Sequence, residues 1–204
     1  MKHRNIIAIT RGIEPHEAAA IATAYARAGI TRIEVPLNSP DPFKSIAEMI
    51  KAVEGMAEIG AGTVLSTDQV SDLKSVGGQF VVSPNANFDV IRATKAQGME
   101  SWPGVMTPTE CFAAIEAGAD GLKLFPASLI GPSGIKAIRA VLPGNMPLYA
   151  VGGVADQDFD AYAKAGCDGF GLGSSLYRTG MGVQEAEDLA AAAVAAHDGV
   201  FGQP

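Results

Sequence analysis

The stretch Gly118-Ala119-Asp120-Gly121-Leu122-Lys123-Leu124-Phe125-Pro126-Ala127 holds one full unit of the punctuation that decides the fold. Gly118 stands where the preceding helical pattern should stop, because glycine takes the left-handed conformation of a helix end without a Cβ penalty. The run 121–125 is short and apolar and is ended by Pro126, which reads as a buried strand. The same order recurs along the chain. Helix-ending glycines are expected at Gly29, Gly55, Gly77, Gly98, Gly118, Gly144, Gly166 and Gly199. Strand-like runs are expected at 6–10, 32–37, 58–64, 80–84, 100–105, 121–125, 147–151 and 169–172.

Helix starts are legible too. Ser66-Thr67-Asp68, Thr107-Pro108-Thr109-Glu110 and Asp156 offer capping oxygens, and Pro15, Pro42 and Pro108 suit a first helical turn. Strands alternating with helices imply a parallel sheet. Eight such units imply an α/β fold of the (β/α)8 TIM-barrel type, a single domain over 1–204. An open doubly wound sheet would show the same alternation, but no GxGxxG follows the first strand.

The 204 residues are 48% hydrophobic and 18% charged, a globular profile. A net charge of −7 without a Lys/Arg cluster argues against a nucleic-acid surface. No apolar stretch is long enough for a bilayer, and Arg11 and Glu14 follow the first apolar run too soon for a signal peptide. Cys111 and Cys167 lack CxxC spacing and read as buried free thiols, which fits a cytoplasmic protein. His3, His16 and His197 form no cluster, and no paired-carboxylate spacing proposes a metal site.

In a barrel of this kind reactive groups belong at the C-terminal strand ends. The odd polar residues fall there: Arg11 after the first strand, Glu34 in the second, Thr63 at the end of the third and Lys123 in the sixth. Ile33 and Val35 share one strand face and Glu34 the other; Leu122 and Leu124 share one face and Lys123 the other. With the aliphatic pairs against helices, Glu34 and Lys123 both point into the barrel. Burial lowers a lysine's pKa, and a neutral amine can form a Schiff base with a ketone. The structural alternative is a buried Glu34–Lys123 ion pair, which desolvation makes a poor stabiliser. The seventh strand ends in Gly152-Gly153 and the eighth in Gly173-Ser174. Glycines there let backbone N–H groups approach an anion, and a following helix N-terminus adds its dipole, so these loops are expected to bind phosphate.

Ile9-Thr10-Arg11-Gly12-Ile13, Ile33-Glu34-Val35-Pro36-Leu37-Asn38-Ser39-Pro40, Gly60-Ala61-Gly62-Thr63-Val64, Ser83-Pro84-Asn85, Lys123-Leu124-Phe125-Pro126-Ala127, Val151-Gly152-Gly153-Val154 and Gly171-Leu172-Gly173-Ser174 are in order and spread over nearly the whole chain. Together they resemble the 2-keto-3-deoxy-6-phosphogluconate/6-phosphogalactonate aldolase family, class I aldolases on a trimeric barrel. The resemblance implies a homotrimer that needs no metal or organic cofactor. Its small-molecule substrate would be a phosphorylated keto-deoxy sugar acid, cleaved to pyruvate and glyceraldehyde 3-phosphate, with no nucleic-acid or membrane partner. It implies Lys123 as nucleophile and Glu34 as general base. Arg11 and Thr63 would hold the substrate carboxylate, Gly152, Gly153, Gly173 and Ser174 the phosphate, and Pro84, Phe125 and Val151 would wall the pocket. Gluconate-type members carry arginine at the position of Asn38 and threonine at that of Val151, so both residues point to the galactonate branch. A gluconate or hydroxyglutarate aldolase is the nearest alternative, and a non-catalytic sugar-phosphate-binding barrel the more distant one.

Overall fold

A computed structural model describes residues 3–203. Its strands are β1 (Ile6–Ile9), β2 (Arg32–Pro36), β3 (Glu58–Gly62), β4 (Phe80–Val82), β5 (Glu100–Trp102), β6 (Gly104–Val105), β7 (Leu122–Leu124), β8 (Leu148–Val151) and β9 (Gly169–Leu172). All pair in parallel, in the order β5-β4-β3-β2-β1-β9-β8-β7-β6. Eight helices cover them: α1 (Pro15–Ala28), α2 (Pro42–Ala52), α3 (Thr67–Ser75), α4 (Phe88–Ala96), α5 (Pro108–Glu116), α6 (Ala127–Arg139), α7 (Phe159–Lys164) and α8 (Val183–Phe201).

The expected run 100–105 is one barrel strand split in two by Pro103, which has no N–H to give to a ladder. Its carbonyls still close the barrel. Trp102 O accepts from Ser83 N on the β4 side at 3.1 Å, while Ser101 O and Pro103 O accept from Asp120 N at 3.0 Å and Lys123 N at 2.9 Å on the β7 side. Nine segments therefore make an eight-position (β/α)8 barrel. Among the described residues no helix is long and apolar enough to cross a membrane. Cys111 and Cys167 are buried and free.

The local signals act as their chemistry dictates. Ser66 and Thr107 cap α3 and α5, each accepting a backbone N–H at 3.3 Å while Gln69 and Glu110 reach back to complete the capping box. Two of the expected glycine stops are corrected. Gly144 does not end α6, which stops at Arg139; the Arg139 guanidinium donates to the carbonyls of Pro143, Gly144 and Met146 at 2.7–2.9 Å and satisfies that turn by itself. Gly199 lies inside α8, whose last turn is held by Phe201 packing on the rings of His197 and Phe170, and the helix ends at Gly202 with φ 80°.

Strand alternation sorts the core into two shells. Ile6, Ala8, Ile33, Val35, Leu122, Leu124, Phe170 and Leu172 face the helices. The barrel interior is a smaller cluster of Ile7, Ile9, Phe80, Val82, Trp102, Tyr149 and Val151 with Phe125 against it. Glycines on neighbouring strands make room for the large interior side chains. A Cβ at Gly60 would lie 2.7 Å from the Phe80 ring, at Gly121 2.1 Å from Trp102, at Gly169 2.7 Å from Tyr149 and at Gly171 2.7 Å from Val151. Toward the N-terminal strand ends, Trp102 and Tyr149 pack with ring centroids 4.5 Å apart, and the Arg32 guanidinium lies 5.0 Å from the Phe80 and 5.2 Å from the Trp102 ring centroid. Arg32 is paired with Glu100 and, at 3.3 Å, with Glu58, which compensates a cation that is only 6% exposed. This layer forms a floor across the barrel.

Candidate active site

Lys123 is the middle residue of β7, paired across the ladders with Gly104 and Tyr149, so its backbone is fixed on both sides. Its side chain stands in the interior above the floor, with Nζ 4.6 Å from the centroid of the Phe125 ring. Glu34 in β2 pairs with Ile9 and Gly60, and its carbonyl accepts both the N–H and the Oγ1–H of Thr10 at 3.0 Å. Glu34 is 1% exposed and Lys123 6%. The two side chains face one void of about 10 Å³, whose other walls include Ile9, Trp102, Tyr149 and Val151. That volume is at the threshold for one water molecule.

Their electrostatics follow from this burial. Desolvation pushes the Glu34 carboxyl up to about 7, against the opposing pull of Lys123 and Arg11. Desolvation lowers the Lys123 amine, with Glu34 opposing and Arg11 adding to the fall. Glu34 Oε2 has no hydrogen-bond partner among the described residues, so the pair is not a satisfied internal ion pair. The arrangement offers an amine biased toward its neutral form beside a carboxyl that changes charge near neutrality, which are the properties of a nucleophile and a proton acceptor.

Above the pair, a cavity of about 350 Å³ opens at the C-terminal strand ends. It brings together Arg11, Lys123, Phe125, Val151, Gly152, Gly153, Gly173 and Ser174 of the expected site. Glu34 lies beneath it in the void, and Thr63 and Pro84 are on neighbouring loops at the same end without lining either space. Thr63 holds a left-handed backbone at φ 57°, directly after β3. Such strain in a non-glycine residue is common beside functional sites.

The two glycine loops meet as expected, but what they present to the cavity is loop backbone and not the start of a long helix. A three-residue 3-10 turn (Asp156–Asp158) follows β8, and α8 begins only at Val183. The intervening chain is instead tied down by side-chain bonds, Ser175 Oγ donating to Val154 O at 3.1 Å. Among the described residues the amides of Gly153, Ser174 and Ser175 donate to no protein acceptor, which leaves them for an anion.

Sequence reasoning read Asn38 only as a mark of the galactonate branch and did not place Trp102 and Tyr149 in the site. Asn38 Oδ1 accepts from Arg11 Nη1 at 2.7 Å and aims the guanidinium across the mouth. Trp102 and Tyr149 form the floor under Lys123; their positions in the period-two alternation, on the same face as Lys123, were the available signal. Among the described residues no three His, Cys, Asp or Glu side chains come together in a way that could hold a metal ion.

Comparison with known proteins supplies the family. A protein of Rhizobium meliloti (strain 1021) described as "Probable 2-dehydro-3-deoxy-6-phosphogalactonate aldolase" is 53% identical over 98% of this chain and 94% of its own length. The 2-dehydro-3-deoxy-6-phosphogalactonate aldolase of Escherichia coli (strain K12) is 47% identical over 94% of both chains. The solved "Native KDPGal structure" superposes with a TM-score of 0.96 at 45% identity, covering 100% of this chain and 98% of the other. The family model "Aldolase: KDPG and KHG aldolase" matches residues 1–193, and with a buried lysine and carboxyl beneath a glycine-lined mouth on a (β/α)8 barrel, the chain belongs to the KDPG and KHG aldolase family.

Proposed function

We propose that this protein cleaves 2-dehydro-3-deoxy-6-phosphogalactonate to pyruvate and D-glyceraldehyde 3-phosphate through a Schiff base on Lys123. The observation that carries this reading is the buried Lys123 sharing a void of about 10 Å³ with a Glu34 carboxyl whose Oε2 has no hydrogen-bond partner among the described residues. Neutral Lys123 Nζ attacks C2 of the keto acid, and the carbinolamine loses water to give an iminium. Glu34 takes the C4 hydroxyl proton, the C3–C4 bond breaks, and its electron pair flows into the iminium to form an enamine. The aldehyde leaves, C3 is protonated, and hydrolysis returns pyruvate and the amine.

Arg11, held by Asn38, and Thr63 would bind the substrate carboxylate, and the free amides around Gly153 and Ser174 the phosphate. The lysine supplies the electrophilic activation, so no metal or organic cofactor has a step to perform. The galactonate preference rests on Asn38 and Val151 and on the two relatives that bear that name. A homotrimer is part of the same proposal; exposed Leu65, Phe88, Met106 and Phe112 follow β3, β4 and β6 and would be covered by such an assembly. Light scattering should then give three times the 21.0 kDa chain mass. A cytoplasmic location follows from the substrate, because phosphorylated sugar acids do not cross membranes unaided.

Borohydride reduction in the presence of pyruvate tests the core of the proposal. Wild-type protein should gain a reduced pyruvyl adduct, and Lys123→Met should gain none. An adduct on Lys123→Met would place the nucleophile elsewhere. Saturable pyruvate release from the galactonate epimer, faster than from the gluconate epimer, tests the substrate.

A further inference from the structure

The loop after β9 is attached to α1 by contacts that the reaction described above does not use. Glu17 is the third residue of α1, and its Oε1 accepts from the Glu14 N–H at 3.1 Å, closing the helix's first turn. The same Oε1 accepts from the Tyr177 hydroxyl at 2.7 Å. Tyr177 is 3% exposed and belongs to the segment just beyond Gly173 and Ser174. One residue earlier, the Leu176 carbonyl accepts from the fully buried Tyr25 hydroxyl of α1 at 2.9 Å. Two residues later, Thr179 covers Gly12: a Cβ at Gly12 would come 2.5 Å from Thr179 Oγ1, and Gly12 has φ +84°. Gly12 N in turn donates to Ser39 Oγ at 2.9 Å.

Short polar ties therefore join the glycine loop of β9, the start of α1 and the loop bearing Arg11, beside the apolar packing of Leu176 and Tyr177 in the core. The hydroxyl–carboxylate bond is charge-assisted and part-buried, and the Glu17 charge sits at a helix N-terminus that favours it.

We propose that Glu17 and Tyr177 are positioning residues that hold the β9 loop in register with the Arg11 loop, and so set the affinity for the phosphate end of the substrate. The proposal rests on the reading of that cup as the phosphate seat. Tyr177→Phe keeps the ring and removes only the donor. The KM for the phosphorylated substrate and the dissociation constant of inorganic phosphate, measured by thermal shift without turnover, should rise together about three- to tenfold, a part of what a hydrogen bond to a charged group is worth. The pyruvate concentration that half-saturates borohydride trapping, and kcat, should stay within about twofold, since that chemistry lies at the other end of the mouth. Glu17→Gln keeps an acceptor and the capping box and should stay close to wild type, whereas Glu17→Ala should copy Tyr177→Phe.

An equal rise for pyruvate and phosphate would mean general loosening and would overturn the proposal, as would an unchanged phosphate affinity. Wild-type protein that failed to trap pyruvate would count against the aldolase reading, while the phosphate measurement would still decide the role of Tyr177.

Discussion

Replacing Gly62 by alanine should disable the protein without unfolding it. A Cβ at this position would lie 1.8 Å from Glu34 Oε2, 2.3 Å from Cδ and 2.4 Å from Oε1. Non-bonded atoms settle at roughly 3.5 Å, so the carboxyl must retreat by about 1.5 Å from the place it occupies beside Lys123. A misplacement of about 1 Å at a reacting group can cost about 100-fold, so kcat should fall by about that factor or more. The strain is that of one added methyl group in a packed interior, about 1–3 kcal/mol, which a domain of this size should survive. The assay is pyruvate release coupled to lactate dehydrogenase, with circular dichroism as the control for folding and borohydride trapping as the control for Lys123. A second variant sharpens the test. Glu34→Asp shortens the side chain by one methylene and should be less harmful in Gly62→Ala than in wild type, a coupling that independent sites would not show. Folded Gly62→Ala with kcat within about threefold of wild type would refute the argument that Glu34 acts from its observed position.

Four further outcomes follow from the same geometry. With Glu34 raised to about 7, kcat/KM should climb as pH rises through 7 and the base ionises, and the residual rate of Glu34→Gln, about 100- to 10,000-fold lower, should lack that limb; a limb that persists would assign it to another group. Burial holds the His197 pKa below its usual 6.5, so the unfolded chain takes up the proton first and stability should drop as pH falls below 6.5. Urea midpoints of wild type and His197→Phe at pH 7 and pH 5 should therefore converge on acidification, and parallel lines would remove His197 from the account. Val151, 5% exposed in the wall above Lys123, should on replacement by threonine shift the epimer ratio toward gluconate; an unchanged ratio would show that this side chain does not read C4. EDTA should leave the rate untouched, and a loss restored by a divalent ion would contradict the Schiff-base mechanism.

Much of this was readable because it depends on periods and punctuation. Lys123 and Glu34 interrupt alternating aliphatic runs, and a strand with its apolar face on helices has only one other direction for them, inward. What was not readable depends on contacts between residues distant in sequence. Gly144 resembles the other helix-ending glycines, and only the Arg139 guanidinium folding over that turn shows why none is needed there. Pro103 splits a barrel strand without breaking the barrel, because its carbonyl still bonds to Lys123 N. The meeting of the two glycine loops was legible from their glycines, yet the chain between β9 and α8 is held by Tyr25, Glu17 and Val154, partners no local pattern announces. Gly62 reads in the sequence as one more residue of the third strand, and only its approach to Glu34 shows that it leaves the space in which a carboxyl sits.

The floor of Trp102, Tyr149, Phe80 and Arg32 has a consequence for traffic. It shuts the barrel at one end, so the well above it has a single doorway. Whatever is seated deepest leaves last. On the proposed Schiff-base mechanism the fragment bonded to Lys123 would lie beneath the fragment that carries the phosphate, so the aldehyde would depart first and the pyruvyl-lysine would wait. The water that releases it would arrive through the mouth just vacated. Run backwards on that proposal, the same one-door well would make pyruvate the first guest and the aldehyde the second.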